Sequence, residues 1–343
     1  MARLWQDTDG LACGRLDGKT GVSKHNDWGH PGGRAINDDK LCALSDAIAE
    51  LVPDGASIVL GAALENAIPY AATHELIRQG RRDLNMIAPI SDISTDMLIG
   101  AGCVAAVTGA WVGNVSGGMG HNYRRAAEHG QPHPIRIYDY SNFTIGMAFF
   151  AGAYGLPYVP VKSILGSDIV KSNPRIKLAE NPFSDTPDPV ALVPALKPDV
   201  AFLVVQRADR HGNSHIWGST GLTQEASIAA EKIIVLADEI VEPEVIASDP
   251  SRVLIPGFGV NAVCHVPAAN HPSMLIGRWK RDNAFFHDYH KETRDPAGFQ
   301  RWCDEWVRDL PDHAAYRAKL GGQLEELRIT GNAPSAPANY ATD

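Results

Sequence analysis

Cysteine is scarce in this chain, 5 among 343 residues. Cys13, Cys42, Cys103, Cys264 and Cys303 are odd in number and form neither a CxxC pair nor a regular ladder. A disulfide-stapled scaffold is therefore excluded, and a reducing compartment, the cytoplasm, is expected. Long apolar runs are missing as well. Nothing approaches the roughly 18 residues that span a bilayer, and no basic, then apolar, then small-residue leader opens the sequence, which predicts a soluble chain with no membrane segment. Positive charge is also in short supply: 31 basic against 40 acidic side chains give a formal net charge of -9. That balance opposes binding to nucleic acid or an anionic membrane, so any phosphate-bearing ligand has to be held locally.

Several signatures of cofactor chemistry are absent. No GxGxxG follows the first strand, no GxxxxGK[ST] occurs, and no GxSxG places a serine on a nucleophile elbow. His211 and His215 are spaced by four, as are His129 and His133, but Gly212 interrupts the first pair and Gly130 with Pro132 the second. His287 and His290 have no second pair nearby, so no metal ligand set and no bound cofactor is expected.

With 44% hydrophobic residues the chain has ample material for a core. Residues 1–37 hold many glycines without apolar periodicity and read as an irregular extension; 331–343 read as a disordered tail. Between them, 38–330 read as one domain. Leu41, Leu44, Ile48, Leu51 and Val52 predict a helix that starts after Asp38-Asp39 and closes at Pro53. Strands are expected at 57–61, 84–90, 104–111, 135–140, 200–205, 233–237, 253–255 and 260–266. Helices are expected at 69–78, 96–99, 123–128, 144–154, 224–231, 299–310 and 313–320. Strands apolar on both faces, alternating with helices, indicate an α/β fold with a mostly parallel open sheet covered on each side.

Two strand-to-helix loops carry the best candidates for chemistry. In Trp111 to Arg125, Gly117, Gly118 and their neighbours let a ligand approach the backbone, and Asn114 and Ser116 add polar groups at a strand end, where open α/β sheets bind ligands. Gly61, Ala62 and Ala63 begin the other loop. Glu65, further along it, is a weak candidate for a catalytic carboxylate, because a glutamate near a helix start ordinarily serves electrostatics and capping. Asp92, Ser94 and Asp96 read the same way.

The order of motifs resembles the A (α) subunit of the family I coenzyme A transferases, most closely the glutaconate CoA-transferase type. The resemblance is carried by SIVLG (57–61), Pro69-Tyr70-Ala71-Ala72, Glu75 to Gly80, Asp96 to Gly100, LPYVPV (156–161), Asn181-Pro182-Phe183 and KPDVAF (197–202). Ile216-Trp217-Gly218, IPGFGVNAV (255–263), His271-Pro272-Ser273, Trp306, Asp309-Leu310 and His313 extend it to the end of the domain. It implies the fold of these enzymes, shared with sugar-phosphate isomerases. It also implies a partner, the B (β) subunit, in a heterotetramer, with an acyl-CoA and a carboxylic acid as substrates. A glutamate in a Ser-Glu-Asn-Gly-like motif of the B subunit would attack the thioester and carry CoA as a glutamyl thioester. This chain has no such motif, so no catalytic residue is expected in it.

The family's Asn-Ser-Gly strand end corresponds to Asn114-Val115-Ser116-Gly117, with Val115 inserted, which implies substrate contacts from Ser116 and Asn114. Gly61-Ala62-Ala63 stands where Gly-Gly-Phe is common and implies a changed acyl pocket. A related two-subunit hydrolase that opens a steroid-derived ring carries an acidic pair where Ser141 and Asn142 stand here. Asn142 can bind substrate but cannot act as a base. That hydrolase is the alternative reading, and a non-catalytic ligand sensor is a third.

Overall fold

The computed structural model describes residues 39–330. The extension expected at 1–37 and the tail expected at 331–343 lie outside the described residues. Seven strands form one parallel sheet: β1 (Ser57–Leu60), β2 (Leu84–Ile90), β3 (Val104–Trp111), β4 (Arg136–Asp139), β5 (Val200–Val205), β6 (Lys232–Ala237) and β7 (Ala262–His265). Their spatial order is β7-β6-β5-β1-β2-β3-β4. All six pairings are parallel, with Ile58 of β1 opposite Val200 on one side and Met86 on the other.

Burial along the strands explains why they read as continuous apolar runs. Ile58 and Leu60 enter the core on one face while Val59 enters the core on the other, and every residue of β5 is buried. Each large aliphatic side chain so buried contributes about 1.5 to 3 kcal/mol, which only a sheet covered on both sides can collect. Pro89 lies beyond Ile87, the last β2 residue registered with β1, where its missing N–H leaves no ladder bond unmade.

The chain runs outward from β1 through β2 and β3 to β4, then returns to add β5, β6 and β7 on the opposite flank. The order therefore reverses between β1 and β5, and the carboxyl ends of these strands flank the natural ligand crevice of such a sheet.

Helices α1 (Leu44–Leu51), α2 (Tyr70–Arg78), α3 (Ile93–Gly100), α4 (His121–His129) and α5 (Asn142–Ala153) connect the first strands. The start of α1 differs from expectation. Asp39 accepts a bond from the Leu41 amide, and Leu41 bridges to Val263 beside β7, so the helix begins only after Ala43. Helix α3 is twice as long as the expected 96–99, because buried Ile93 adds its first turn to the core.

Residues 253–255 are not a strand: prolines at 250 and 256 hold the segment between two 3-10 turns, and only Val253 bridges, to His215. The expected helix at 299–310 divides into an α-helix, Pro296–Cys303, and a π turn, Asp304–Arg308. Among the elements that had not been expected, two are the most substantial. One is the antiparallel sheet of Tyr158–Val161, Pro189–Pro194 and Lys177–Glu180; the other is the helix Asn283–Glu292, here α6. No helix among the described residues is long and apolar enough to cross a membrane.

Candidate functional site

The carboxyl ends of β1, β2 and β3 supply three loops that meet α6. After β1, Gly61 adopts φ +78 and turns the chain under Ile68. Ala62 and Ala63 are buried, and together with Asn66, Ser219, Thr220 and Thr223 they line a narrow cleft at the β1/β5 reversal. Small side chains are needed on its floor: a Cβ at Gly221 would collide with the Ala62 backbone. Asn66 holds the loop in shape, donating to Ser219 O at 2.8 Å and accepting from the Ile276 amide at 3.3 Å.

Leu64 and Ala67 of this loop have φ +60 and +56, and Asp92 after β2 has φ +48. Left-handed backbone at non-glycine residues costs roughly 1 to 3 kcal/mol each and gathers at functional sites.

Asp92 is fully buried, and at the head of α3 it makes no capping bond. Its carboxylate instead accepts from the Val115 amide at 3.0 Å and from Arg281 Nη2 at 2.8 Å. Burial pushes its ionisation above the ordinary carboxylate value, against the opposing pull of the Arg281 charge and the Val115 amide. Asp96 is not a cap either. It accepts from the Tyr123 amide, Asn122 Nδ2 and Tyr289 Oη at 2.8, 3.0 and 2.7 Å, tying α4 to α3 and α6.

After β3, Gly113–Asn114 and Gly118–Met119 form a two-stranded ribbon. Asn114 is buried, and its side chain is consumed inside the protein: Nδ2 donates to Phe286 O at 2.6 Å and Oδ1 accepts from the Ser116 amide at 2.9 Å. The Gly117 amide donates to Asn114 O, so it too is turned inward, and a Cβ there would meet the His290 ring at 2.7 Å. Gly118, at φ +108, borders open space. Ser116 is half-buried, with Oγ 3.3 Å from Arg281 Nη2.

Asn142 stands apart from this group, exposed in the first turn of α5, which Ser141 and Thr144 close as a reciprocal capping box. Glu65 is 38% exposed at its side chain, with Oε2 3.9 Å from Arg281 Nη1.

Arg281 thus joins the three loops, yet the sequence had not singled it out. It precedes Asp282, which caps α6 by accepting from the Phe285 amide. The available signal was that aspartate ahead of Phe285, Phe286 and Tyr289 at helical spacing. No metal-holding group of three or more His, Cys, Asp or Glu occurs among the described residues.

These features define the class: an α/β ligand-binding chain with its polar site on the carboxyl edge of a parallel sheet, beside the strand-order reversal. Comparison with known proteins sharpens it. The family model for Coenzyme A transferase matches residues 42–265. The A subunit of the 3-oxoadipate CoA-transferase of Pseudomonas knackmussii is 38% identical over 281 residues, covering 82% of this chain and 98% of that one. The A subunit of the glutaconate CoA-transferase of Acidaminococcus fermentans is 35% identical over 84% of this chain and 95% of its own. The crystal structure of that enzyme superposes with a TM-score of 0.81 over 85% of this chain and 96% of the other, at 34% identity. More distant is the cholesterol ring-cleaving hydrolase IpdA subunit of Rhodococcus jostii, 26% identical over 84% of this chain and 98% of its own.

The chain belongs to the coenzyme A transferase family. Within it, this protein is of the CoA-transferase A-subunit type.

Proposed function

We propose that this chain is the substrate-holding half of a two-subunit enzyme that moves CoA from an acyl-CoA thioester to a carboxylic acid, and that the attacking carboxylate belongs to the B subunit. One observation carries the reading. Asp92 and Asp96, the buried carboxylates beside the site, are fully engaged in internal hydrogen bonds, while Ser116 Oγ and the Gly118 turn face the mouth. Leu64, Val115 and Met119 rim that mouth with exposed apolar surface, 42, 42 and 53% accessible, as an incomplete site awaiting a partner would.

The reaction balances in four exchanges. The partner carboxylate attacks the acyl carbonyl, forming an acyl-glutamyl anhydride and releasing CoA thiolate. That thiolate attacks the glutamyl carbonyl, forming a glutamyl thioester and freeing the first acid. The acceptor carboxylate then attacks the thioester, forming a second anhydride and releasing CoA thiolate again. This thiolate attacks the acceptor's carbonyl in that anhydride, giving the new acyl-CoA and freeing the glutamate. Covalent catalysis replaces one hard displacement with easier ones. The relatives named for 3-oxoadipate and glutaconate make a similar organic acid the first substrate to try.

The test is chemical. The complex with its B subunit is incubated with acyl-CoA and then borohydride, which should reduce one partner glutamate to an alcohol and stop CoA exchange between acids. Thioester loss without an acceptor, with oxygen from water entering the product acid, would instead establish the hydrolase alternative. That alternative has the weaker support. Its relative is only 26% identical, and Ser141 here is occupied as a helix cap.

A further inference from the structure

We propose that Arg281 selects the acyl group, by receiving on its Nη1 edge a carboxylate of the substrate that takes no part in the reaction, and that Glu65 is the counter-ion this carboxylate displaces. The proposal rests on the CoA-ester reading above and adds to it a specificity-determining pair.

The guanidinium is fixed on every side but one. Nε donates to Asn283 Oδ1 at 3.2 Å, Nη2 to Asp92 at 2.8 Å and to Ser116 Oγ at 3.3 Å, and Cζ lies 3.7 Å from the centre of the Phe286 ring. Nη1 remains. It is buried and has no hydrogen-bond partner among the described residues, although the side chain as a whole is only 12% exposed. An unsatisfied buried donor on a charged group is expensive and persists where a ligand completes it. Glu65 comes within 3.9 Å, too far for a hydrogen bond, and sits in the loop strained at Leu64 and Ala67. It balances the charge of Nη1 without satisfying its geometry.

Carboxylate is the chemistry that fits one free edge of a planar, permanently charged fork. The reacting carboxylate is the wrong candidate, because it loses its charge on becoming an anhydride or thioester, and an arginine held in a desolvated site would oppose that step. A second carboxylate at the far end of the acyl chain keeps its charge throughout. Arg281 can therefore bind it equally in ground and transition states, adding affinity without slowing chemistry. Leu64 and Val115, next in sequence to Glu65 and Ser116, offer exposed apolar surface to the carbons between.

The experiment compares glutaryl-CoA with pentanoyl-CoA, in which a methyl replaces the far carboxyl, on the complex with the B subunit, following loss of either thioester. Arg281→Gln should lower the glutaryl to pentanoyl ratio of kcat/KM roughly 100-fold, mostly through KM for the glutaryl ester. Glu65→Gln should raise the ratio by about threefold, the scale of an exposed ion pair. A merely structural arginine would weaken both esters alike, as would one that positions the partner's nucleophile, and a ratio within twofold of wild type in both variants overturns the proposal. If Arg281→Gln fails to assemble, the Glu65→Gln ratio decides, and no rise there overturns it. The ratio is readable whether the thioester is transferred or hydrolysed, so this proposal and the transfer reading fail separately.

Discussion

Two polar clusters lie back to back across the peptide bond joining Arg281 to Asp282, and they are built to opposite ends. The Asp282 cluster is closed: its carboxylate accepts from the Phe285 amide at 2.9 Å, Gln323 Nε2 at 2.7 Å and His271 Nε2 at 3.1 Å, while His271 Nδ1 meets Tyr316 Oη at 2.7 Å. Burial lowers the ionisation of His271 despite Asp282. Burial would raise Asp282, but the bonds from His271, Phe285 and Gln323 outweigh it and hold the carboxyl below its ordinary value. The pair is thus a neutral imidazole donating from Nε2 to a carboxylate, which fixes the tautomer and leaves Nδ1 to accept from Tyr316. The Arg281 cluster ends at the mouth with a donor to spare. A saturated network holds a helix in place; a network one partner short receives something. The first positions α6, and α6 positions the second.

Removing Asp92 should give the largest effect. Arg281 would lose its anchor and remain charged in a site that is mostly desolvated, and the Val115 amide would lose its acceptor. Breaking one partner of such a pair costs about 3 to 5 kcal/mol, so Asp92→Ala should melt well below wild type and lose turnover in the assembled enzyme. A loss under about 1 kcal/mol in a denaturant titration would place Asp92 among ordinary surface charges and dissolve the contrast between the clusters.

A smaller effect tests the same contrast within three residues. Asn114→Ala would leave the Ser116 amide without its acceptor and strip the α6 carbonyl of Phe286 of its side-chain donor, a loss of about 1 to 3 kcal/mol. Ser116→Ala should change stability by less than about 0.5 kcal/mol and show itself in KM. Calorimetric melts beside steady-state kinetics would separate the two residues, and an exchange of these outcomes would reverse their roles.

The sheet was legible because its strands are short, apolar on both faces and punctuated by glycine or proline: 84–90, 104–111 and 200–205 match residue for residue. The sheet at Tyr158–Val161 escaped because Pro160, Pro189 and Pro194 break its pattern; Pro160 sits on an edge strand, and Pro189 and Pro194 are the end residues of the central one, where proline costs few ladder bonds. At the site, the glycine-rich turn announced itself through local backbone freedom. Asn114 was legible as polar and near a ligand edge, but not as spent, since its partner Phe286 is 172 residues away. Arg281 was invisible for the same reason: its pairing with Asp92 spans 189 residues. Periodicity reports local structure, whereas the pairing of buried charges depends on the whole topology.

The smallest effect concerns an imidazole beside the closed cluster, His74, that is itself left open. His74 is 1% exposed, both its ring nitrogens lack a partner among the described residues, and its ring meets Tyr316 edge-on at 4.9 Å. Unlike Arg281 Nη1, which has the part-exposed Glu65 carboxylate 3.9 Å away, it faces no counter-ion among the described residues, so its unsatisfied nitrogens are a liability. Burial lowers its ionisation well below the ordinary histidine value, helped by the nearby charge of Arg78. The folded protein therefore binds fewer protons than the unfolded chain once the pH falls below about 6.5, and stability must decline with acidification from that point, by up to about 1.4 kcal/mol per pH unit for this group. Above that pH, both states hold the imidazole neutral and the term vanishes. His74→Leu, of similar shape and without polar atoms, should be neutral or stabilising by about 1 kcal/mol at pH 8 and should gain further on wild type at pH 5. Melting curves at the two pH values read the difference directly. A variant less stable than wild type at both would mean that the His74 nitrogens are engaged, and that the closed cluster extends one residue further than its hydrogen bonds indicate.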